Sequence, residues 1–301
     1  MKLTILGCNS AVPANGRFPT AQVLQVEDEL FLIDCGEGTQ MRMNEHHIAR
    51  GKINHIFISH LHGDHVFGLM GLLTSYSLNQ REEALHIYAP AGLRKMVEVQ
   101  VKHTGSYLSY PIHFHVNDTE TSTEIFINKK ISVTTIPLVH RVPCCGFLFK
   151  EQPKPLNIIA DKIKEYHIDY QQIKAIKAGA DYVTSDGKTI SNSELTKPPK
   201  PQRSYAFCSD TAYHEAVIPI IKNADLLYHE TTFMHDMKEW ATKTGHSTAR
   251  QAAMIAKQAG VGQLICGHYS SRFKDLEPLL AEAREVFPNT ELGIEGRIFE
   301  F

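Results

Sequence analysis

Three histidines and one aspartate fall within a short stretch, Ser59-His60-Leu61-His62-Gly63-Asp64-His65. A strand is expected just before them and a helix just after, so they occupy a strand-to-helix loop. On such a loop His60 and His62 could face one metal ion while Asp64 and His65 turn toward a second about 3.5–4 Å away. Nitrogen and carboxylate ligands without thiolate suit Zn²⁺, with Mn²⁺ or Fe²⁺ as substitutes. Gly63 would give the turn its freedom. As ordinary buried histidines the group would leave costly unpaired polar atoms, so the metal reading is preferred.

A binuclear site needs more ligands, and these should arrive from strand ends downstream. His140 follows the apolar run Ile131–Val139, Asp210 follows Tyr205–Cys208, and His268 follows Gln263–Cys266. Each is a ligand type one or two residues past a strand. Asp210 could bridge both metals, because a carboxylate offers two oxygens and an imidazole one available nitrogen.

The elements that would position these residues alternate along the chain. Short β-rich runs are expected at Leu3–Leu6, Gln22–Val26, Leu30–Asp34, Asn54–Ser59 and across Ile125–Pro137. Helical spacing appears at Val66–Asn79 and Leu93–His103. From Ser204 on, strands are expected at Tyr205–Cys208, Asp225–His229 and Gln263–Cys266, and helices at Glu215–Ile221 and Thr248–Ala259. Two strand-rich halves, each followed by helices, imply an α/β chain layered as an αββα sandwich.

Composition narrows the function classes. The chain has 301 residues, is 43% hydrophobic and 21% charged, and its net charge of −2 argues against a blanket nucleic-acid binder. No apolar run approaches the roughly 18 residues that span a bilayer. The N-terminus turns polar within ten residues, so neither a membrane role nor a secretory signal is expected. Six cysteines without a C-x-x-C pattern fit reduced thiols in the cytoplasm.

One segment departs from this pattern. From about Lys150 to Lys200 the sequence is polar, rich in Lys and Pro, and ends Lys197-Pro198-Pro199-Lys200-Pro201. Short helices are expected at Ile158–Tyr166 and Tyr170–Ala178, and a turn at Asp186-Gly187. Lys150 to Arg203 holds ten Lys/Arg against seven Asp/Glu, a local +3. The plain reading is a solvated insertion within one catalytic domain. The sharper one is a flexible appended arm, residues 150–200, that touches a polyanion.

The H-x-H-x-D-H pattern with its later His, Asp and His resembles the metallo-β-lactamase superfamily. Within it the chain closely resembles the ribonuclease Z family along nearly its whole length. The resemblance includes Ile33-Asp34-Cys35-Gly36-Glu37-Gly38-Thr39, Gly68-Leu69-Met70-Gly71, His229-Glu230-Thr231-Thr232-Phe233, Gly245-His246-Ser247-Thr248 and His268-Tyr269-Ser270-Ser271-Arg272-Phe273. It implies an endonuclease that trims tRNA precursors at the 3′ end. One zinc would sit on His60, His62, His140 and Asp210, and the other on Asp64, His65, Asp210 and His268. It also implies that His246 donates a proton to the leaving oxygen, with Glu230 holding its other nitrogen. Asp64 would orient or deprotonate the attacking water.

The resemblance further implies a homodimer whose arm reaches precursor tRNA bound across the dimer, and an Arg17 that reads the tRNA 3′ region. Arg272, four residues past His268, is placed to contact a substrate phosphate. Within the arm, Lys162, Lys164, Lys174 and Lys177 are the expected phosphate contacts. The chain departs from the family at Asn15 and Phe18, where Lys and Asn are usual, and its arm lacks the usual Gly-Pro pair.

Three other readings compete. A phosphodiesterase of the same superfamily acting on small cyclic nucleotides or nucleic-acid ends would not need a fifty-residue basic arm. A thioesterase or lactamase would not need the Glu230–His246 pair. A non-catalytic RNA-binding protein would not need seven metal ligands.

Overall fold

The structure is a computed structural model describing residues 1–301. Its contacts divide the chain into a larger unit, Met1–Lys150 with Arg203–Phe301, and a smaller one, Glu151–Gln202.

In chain order the strands begin with β1 (Lys2–Gly7), β2 (Ala21–Val26), β3 (Glu29–Ile33), β4 (Ile53–Phe57), β5 (Leu85–Ala89) and β6 (Ile112–Val116). Next come β7 (Glu124–Ile127), β8 (Ile131–Pro137) and β9 (Cys145–Glu151). The smaller unit holds β10 (Asn157–Ile158), β11 (Tyr182–Val183), β12 (Thr189–Ile190) and β13 (Thr196–Lys197). The chain then returns through β14 (Ser204–Cys208), β15 (Leu226–Glu230), β16 (Gln263–Gly267), β17 (Thr290–Leu292) and β18 (Ile298–Glu300).

The larger unit carries two seven-stranded sheets, ordered β18-β1-β2-β3-β4-β5-β6 and β17-β16-β15-β14-β9-β8-β7. Side chains alternate across each sheet, and the alternation assigns the layers. Leu3, Ile5, Phe31 and Phe57 of the first sheet share one core with Phe147, Phe149, Tyr205 and Phe207 of the second. The opposite face of the first sheet, with Leu6, Val23, Leu32 and Ile56, packs on Leu72, Leu73 and Val97 of the helices Leu69–Leu78 and Leu93–Thr104. The second sheet is backed by the helices Ala249–Ala259 and Glu277–Val286. The expected αββα layering is therefore what the chain forms.

Two expected elements differ. The stretch 125–137 is not one strand, because Asn128 Oδ1 accepts from the N–H groups of Lys130 and Ile131 at 2.8 and 2.9 Å and turns the chain into the β7–β8 hairpin. The helix expected at 215–221 is only a 3-10 turn at Glu215–Val217. Pro219 has no N–H to donate and stops a longer helix.

The smaller unit has a core of its own, formed by Ile168, Ile176, Ile190 and Leu195. Its helices are Ala160–Glu165, Tyr170–Lys177 and the single turn Asn192–Leu195, the second capped by Asp169, which accepts from the Gln171 N–H at 2.9 Å. The Asp186-Gly187 turn closes the β11–β12 hairpin with Gly187 at φ 84°.

Candidate metal centre

The ends of β3, β4, β14 and β16 deliver Asp34, the His60–His65 loop, Asp210 and His268 to one place. Asp34, Asp210 and His268 all have left-handed backbones, with φ of 56°, 55° and 56°. For residues other than glycine this costs on the order of 1 kcal/mol each, so their orientation is held by the fold against local preference. Gly36 and Gly68 let the flanking loops close. A Cβ on Gly68 would meet the Gly36 carbonyl oxygen at 2.1 Å, and one on Gly36 the Asp64 carbonyl oxygen at 2.4 Å. Gly63 differs from expectation: it begins the short helix Gly63–Val66 and has no left-handed backbone.

Hydrogen bonds around the histidines fix their tautomers. Ser59 Oγ donates to Asp34 Oδ2 at 2.9 Å, so it accepts from His60 Nδ1–H at 3.0 Å. His65 Nδ1–H donates to Asp34 Oδ2 at 2.7 Å, and His140 Nδ1–H to the Gly245 carbonyl at 2.8 Å. Thr232 Oγ1 donates to Glu230 Oε2 at 2.6 Å and accepts from His268 Nδ1–H at 3.0 Å. Each of these four rings therefore turns a bare Nε2 inward.

His62 presents Nδ1 to the same point, 3.0 Å from His60 Nε2 and 3.2 Å from His140 Nε2. Without a cation, His62 Nδ1–H can donate to only one of these two bare nitrogens at a time; a cation in place of that proton is shared by all three rings. His65 Nε2 is buried and makes no hydrogen bond, although Asp210 Oδ1 lies 3.2 Å away. The donor set of imidazoles and carboxylates fits a divalent metal of the zinc class.

Asp210 stands between two groups of ligands. Its Oδ2 lies 3.6 Å from His60 Nε2 and 3.7 Å from His140 Nε2. Its Oδ1 lies 3.2 Å from His65 Nε2 and 3.1 Å from His268 Nε2. His60, His62, His140 and Asp210 form one cluster able to hold a metal, and Asp64, His65 and His268 another. Asp64 Oδ2 accepts from the Ala11 N–H at 2.7 Å and lies 3.4 Å from His268 Nε2.

The electrostatics call for cations. Burial holds His60 well below the usual histidine range, so it stays a neutral ligand. Burial also opposes charge on His65, yet Asp210, Asp64 and Asp34 together raise its pKa well above that range. The pull of three carboxylates on one imidazole is the negative field that a metal would answer.

Beside this cluster, His246 Nδ1–H donates to Glu230 Oε1 at 2.8 Å. Glu230 is fully buried and also accepts from the Thr211 N–H at 2.8 Å and the Thr232 N–H at 3.2 Å. Burial works against charge on both partners, but their attraction prevails. It lifts His246 to about 9 and lowers Glu230. The ligand atoms of His246, His268 and Asp210 lie within 4.8 Å of one another.

Residues 1–189 match the family model described as Anti-Pycsar protein Apyc1, a span that stops before Asp210, Glu230, His246 and His268. Ribonuclease Z of Bacteroides fragilis is 46% identical over 295 residues, covering 98% of this chain and 97% of that protein. Ribonuclease Z of Porphyromonas gingivalis is 41% identical over 286 residues, covering 95% and 94%. The chain belongs to the ribonuclease Z family. Among solved structures, human tRNase Z, short form, superposes with a TM-score of 0.72 at 25% identity, covering 100% and 99% of the two chains. The metallo-beta-lactamase fold protein YhfI from Bacillus subtilis shares the fold, with a TM-score of 0.70 at 20% identity.

In this ribonuclease Z family member a cleft of about 510 Å³ opens over the centre. Arg272 lines it, 5.8 Å from the ring centres of both Phe233 and Trp240. Arg141, Trp240 and Phe67 also line it, and no sequence signal singled them out. Arg17 does not reach the cleft. It is buried, with Nε donating to Asn9 Oδ1 at 3.0 Å and Nη2 to the Phe273 carbonyl, so it braces its own loop.

Within the smaller unit Lys164 and Lys174 are exposed and Lys177 is half-buried. Lys162 is held by Glu165 at 2.8 Å. Asp34, Ser59 and Thr232 stand in the sequence motifs with no role read for them there; in the structure they hold the histidines without being ligand candidates.

Proposed function

We propose that this chain is a metal-dependent endoribonuclease that removes 3′ trailers from tRNA precursors and leaves a 3′-hydroxyl. The observation that carries this reading is the buried Glu230–His246 pair beside five converging imidazole nitrogens. The ribonuclease Z relatives that match nearly the whole chain support the substrate class.

In this reading two Zn²⁺ ions occupy the centre, with Mn²⁺ a possible substitute. His60, His62, His140 and Asp210 hold one, and Asp64, His65, Asp210 and His268 hold the other. Such ions, when bound, activate water and neutralise charge building on the phosphate. The chain supplies the rest. Asp64, fixed by the Ala11 N–H, orients the attacking water. His246, kept protonated by Glu230, delivers a proton through Nε2 to the departing oxygen. Arg272 steadies a substrate phosphate from the cleft wall.

The 151–202 unit serves as the tRNA-binding arm, with Lys164, Lys174 and Lys177 on the RNA backbone and Lys162 a lesser contributor. The protein works as a homodimer in the cytoplasm; six buried unpaired cysteines suit a reducing compartment.

A small-substrate phosphodiesterase of the same superfamily is the second reading, since the clusters of His60, His62, His140 and Asp210 and of Asp64, His65 and His268 would serve a phosphodiester of any size. Turnover of a 3′-extended tRNA precursor is to be compared with that of bis-p-nitrophenyl phosphate and cyclic mononucleotides. The proposal expects the precursor to be preferred in kcat/KM by orders of magnitude. Cleavage of the small esters alone overturns it.

A further inference from the structure

A second group of histidines lies outside the centre, on strands β4, β5 and β6. These strands run parallel, and their register sets His55 opposite His86 and His86 opposite His113. The three rings form a ladder, with centroids 5.2 Å apart for His55–His86 and 4.9 Å for His86–His113. His115, two residues along β6 on the same face, stacks on Tyr88 at 4.4 Å. Because β6 ends its sheet, the ladder opens to solvent: His113 and His115 are exposed while His55 and His86 are half-buried.

Stacking fills the sheet edge, and one N–H···N hydrogen bond joins the two rings whose nitrogens meet; a metal ion can displace that proton to take both nitrogens. His86 Nδ1 and His115 Nε2 face each other at 3.0 Å, the separation found between His60 Nε2 and His62 Nδ1 in the catalytic centre. No other polar group of the chain bonds either ring, and His55 Nδ1 behind them is buried without a partner. With metal–nitrogen bonds of about 2.0–2.1 Å, two nitrogens at this distance subtend nearly a right angle at a metal. That is the angle between neighbouring ligands in tetragonal Cu²⁺ or Ni²⁺ complexes and is tighter than tetrahedral zinc prefers.

We propose that His86 and His115 form a second metal site, a two-imidazole chelate for Cu²⁺ or Ni²⁺ at the open edge of the first sheet. It shares no side chain with the catalytic centre, and its remaining coordination positions face water. The exposed His113 is a neighbour and not a ligand.

The test uses full-length protein with its catalytic centre loaded with zinc. Nickel is titrated by calorimetry, copper is followed by electron paramagnetic resonance, and retained zinc is measured in the same samples. Wild type should take up one added ion per chain with zinc retained, and its copper spectrum should show coupling to imidazole nitrogen. His115→Ala, an exposed change that leaves precursor cleavage intact, should weaken uptake about tenfold or more, as should His86→Asn. His113→Ala should bind like wild type. Uptake unchanged in both His115→Ala and His86→Asn, or occurring only with release of zinc, overturns the proposal.

Discussion

His246 Nδ1 lies 2.8 Å from Oε1 of Glu230, a carboxylate with no solvent exposure. Two further N–H groups, from Thr211 and Thr232, donate to the same carboxylate. A charge buried this completely is tolerated only when paired and hydrogen-bonded, so Glu230 both charges and aims the imidazole. His246→Ala should therefore lower kcat on precursor by roughly 10²–10⁴ while metal content stays that of wild type. Loss of a metal ion in that variant would make His246 a ligand and remove its role as proton donor.

The same pair gives a pH signature. The protonated form of His246 is present below its raised pKa of about 9 and is lost as pH rises through it. Glu230→Gln removes the charge that raises it. The alkaline limb of the kcat profile should then move to lower pH than in wild type. An unmoved limb would mean that another group donates the proton.

How much of this was legible in the sequence depended on distance along the chain. The seven ligand candidates could be found because each lies just past an apolar strand run, a local signal. Asp34 could not, since its partners His65 and Ser59 are 31 and 25 residues away and no local spacing joins them. Arg17 as a reader of RNA rested on the family resemblance alone; the Asn9 side chain and the Phe273 carbonyl that hold it are brought to it only by the fold. The histidine ladder was equally hidden, because parallel register is set by crossovers and not by neighbours.

Asp34 yields a prediction of its own. It holds His65 through Nδ1 and His60 through Ser59, so Asp34→Asn should weaken zinc affinity by about 10–100-fold. Competition with a chelator of known affinity measures this. Unchanged affinity would show that the rings are held by packing alone.

The 151–202 insertion is closed by adjacent strands, since Ser204 pairs with Lys150 across β14 and β9. A short Gly-rich turn can therefore replace it without moving either strand. The shortened protein should keep hydrolysis of a small phosphodiester but bind precursor tRNA more weakly. Its affinity should also fall less steeply with salt, because fewer phosphates are contacted. Filter binding across a salt series decides; an unchanged slope would remove the arm from RNA recognition.

His55 makes the fold acid-sensitive. Burial first, then the neighbouring His86 and His115, hold its pKa down to about 4 against 6.5 for a free histidine. The unfolded chain thus binds a proton near pH 6.5 that the folded chain refuses, and stability falls as pH drops from 6.5 toward 4. His55→Phe, set between Phe31 and Phe126, should lose less melting temperature between pH 7 and 5 than wild type, by a few degrees. An identical loss in both proteins would contradict this.

The most direct test of the central claim is cleavage of an end-labelled tRNA precursor carrying a 3′ trailer, before and after chelation. The expected result is one cut at the trailer boundary giving a 3′-hydroxyl, abolished by chelator and restored by added Zn²⁺ or Mn²⁺. Cleavage that survives complete metal removal, or an intact precursor in the presence of bound metal, would contradict the account.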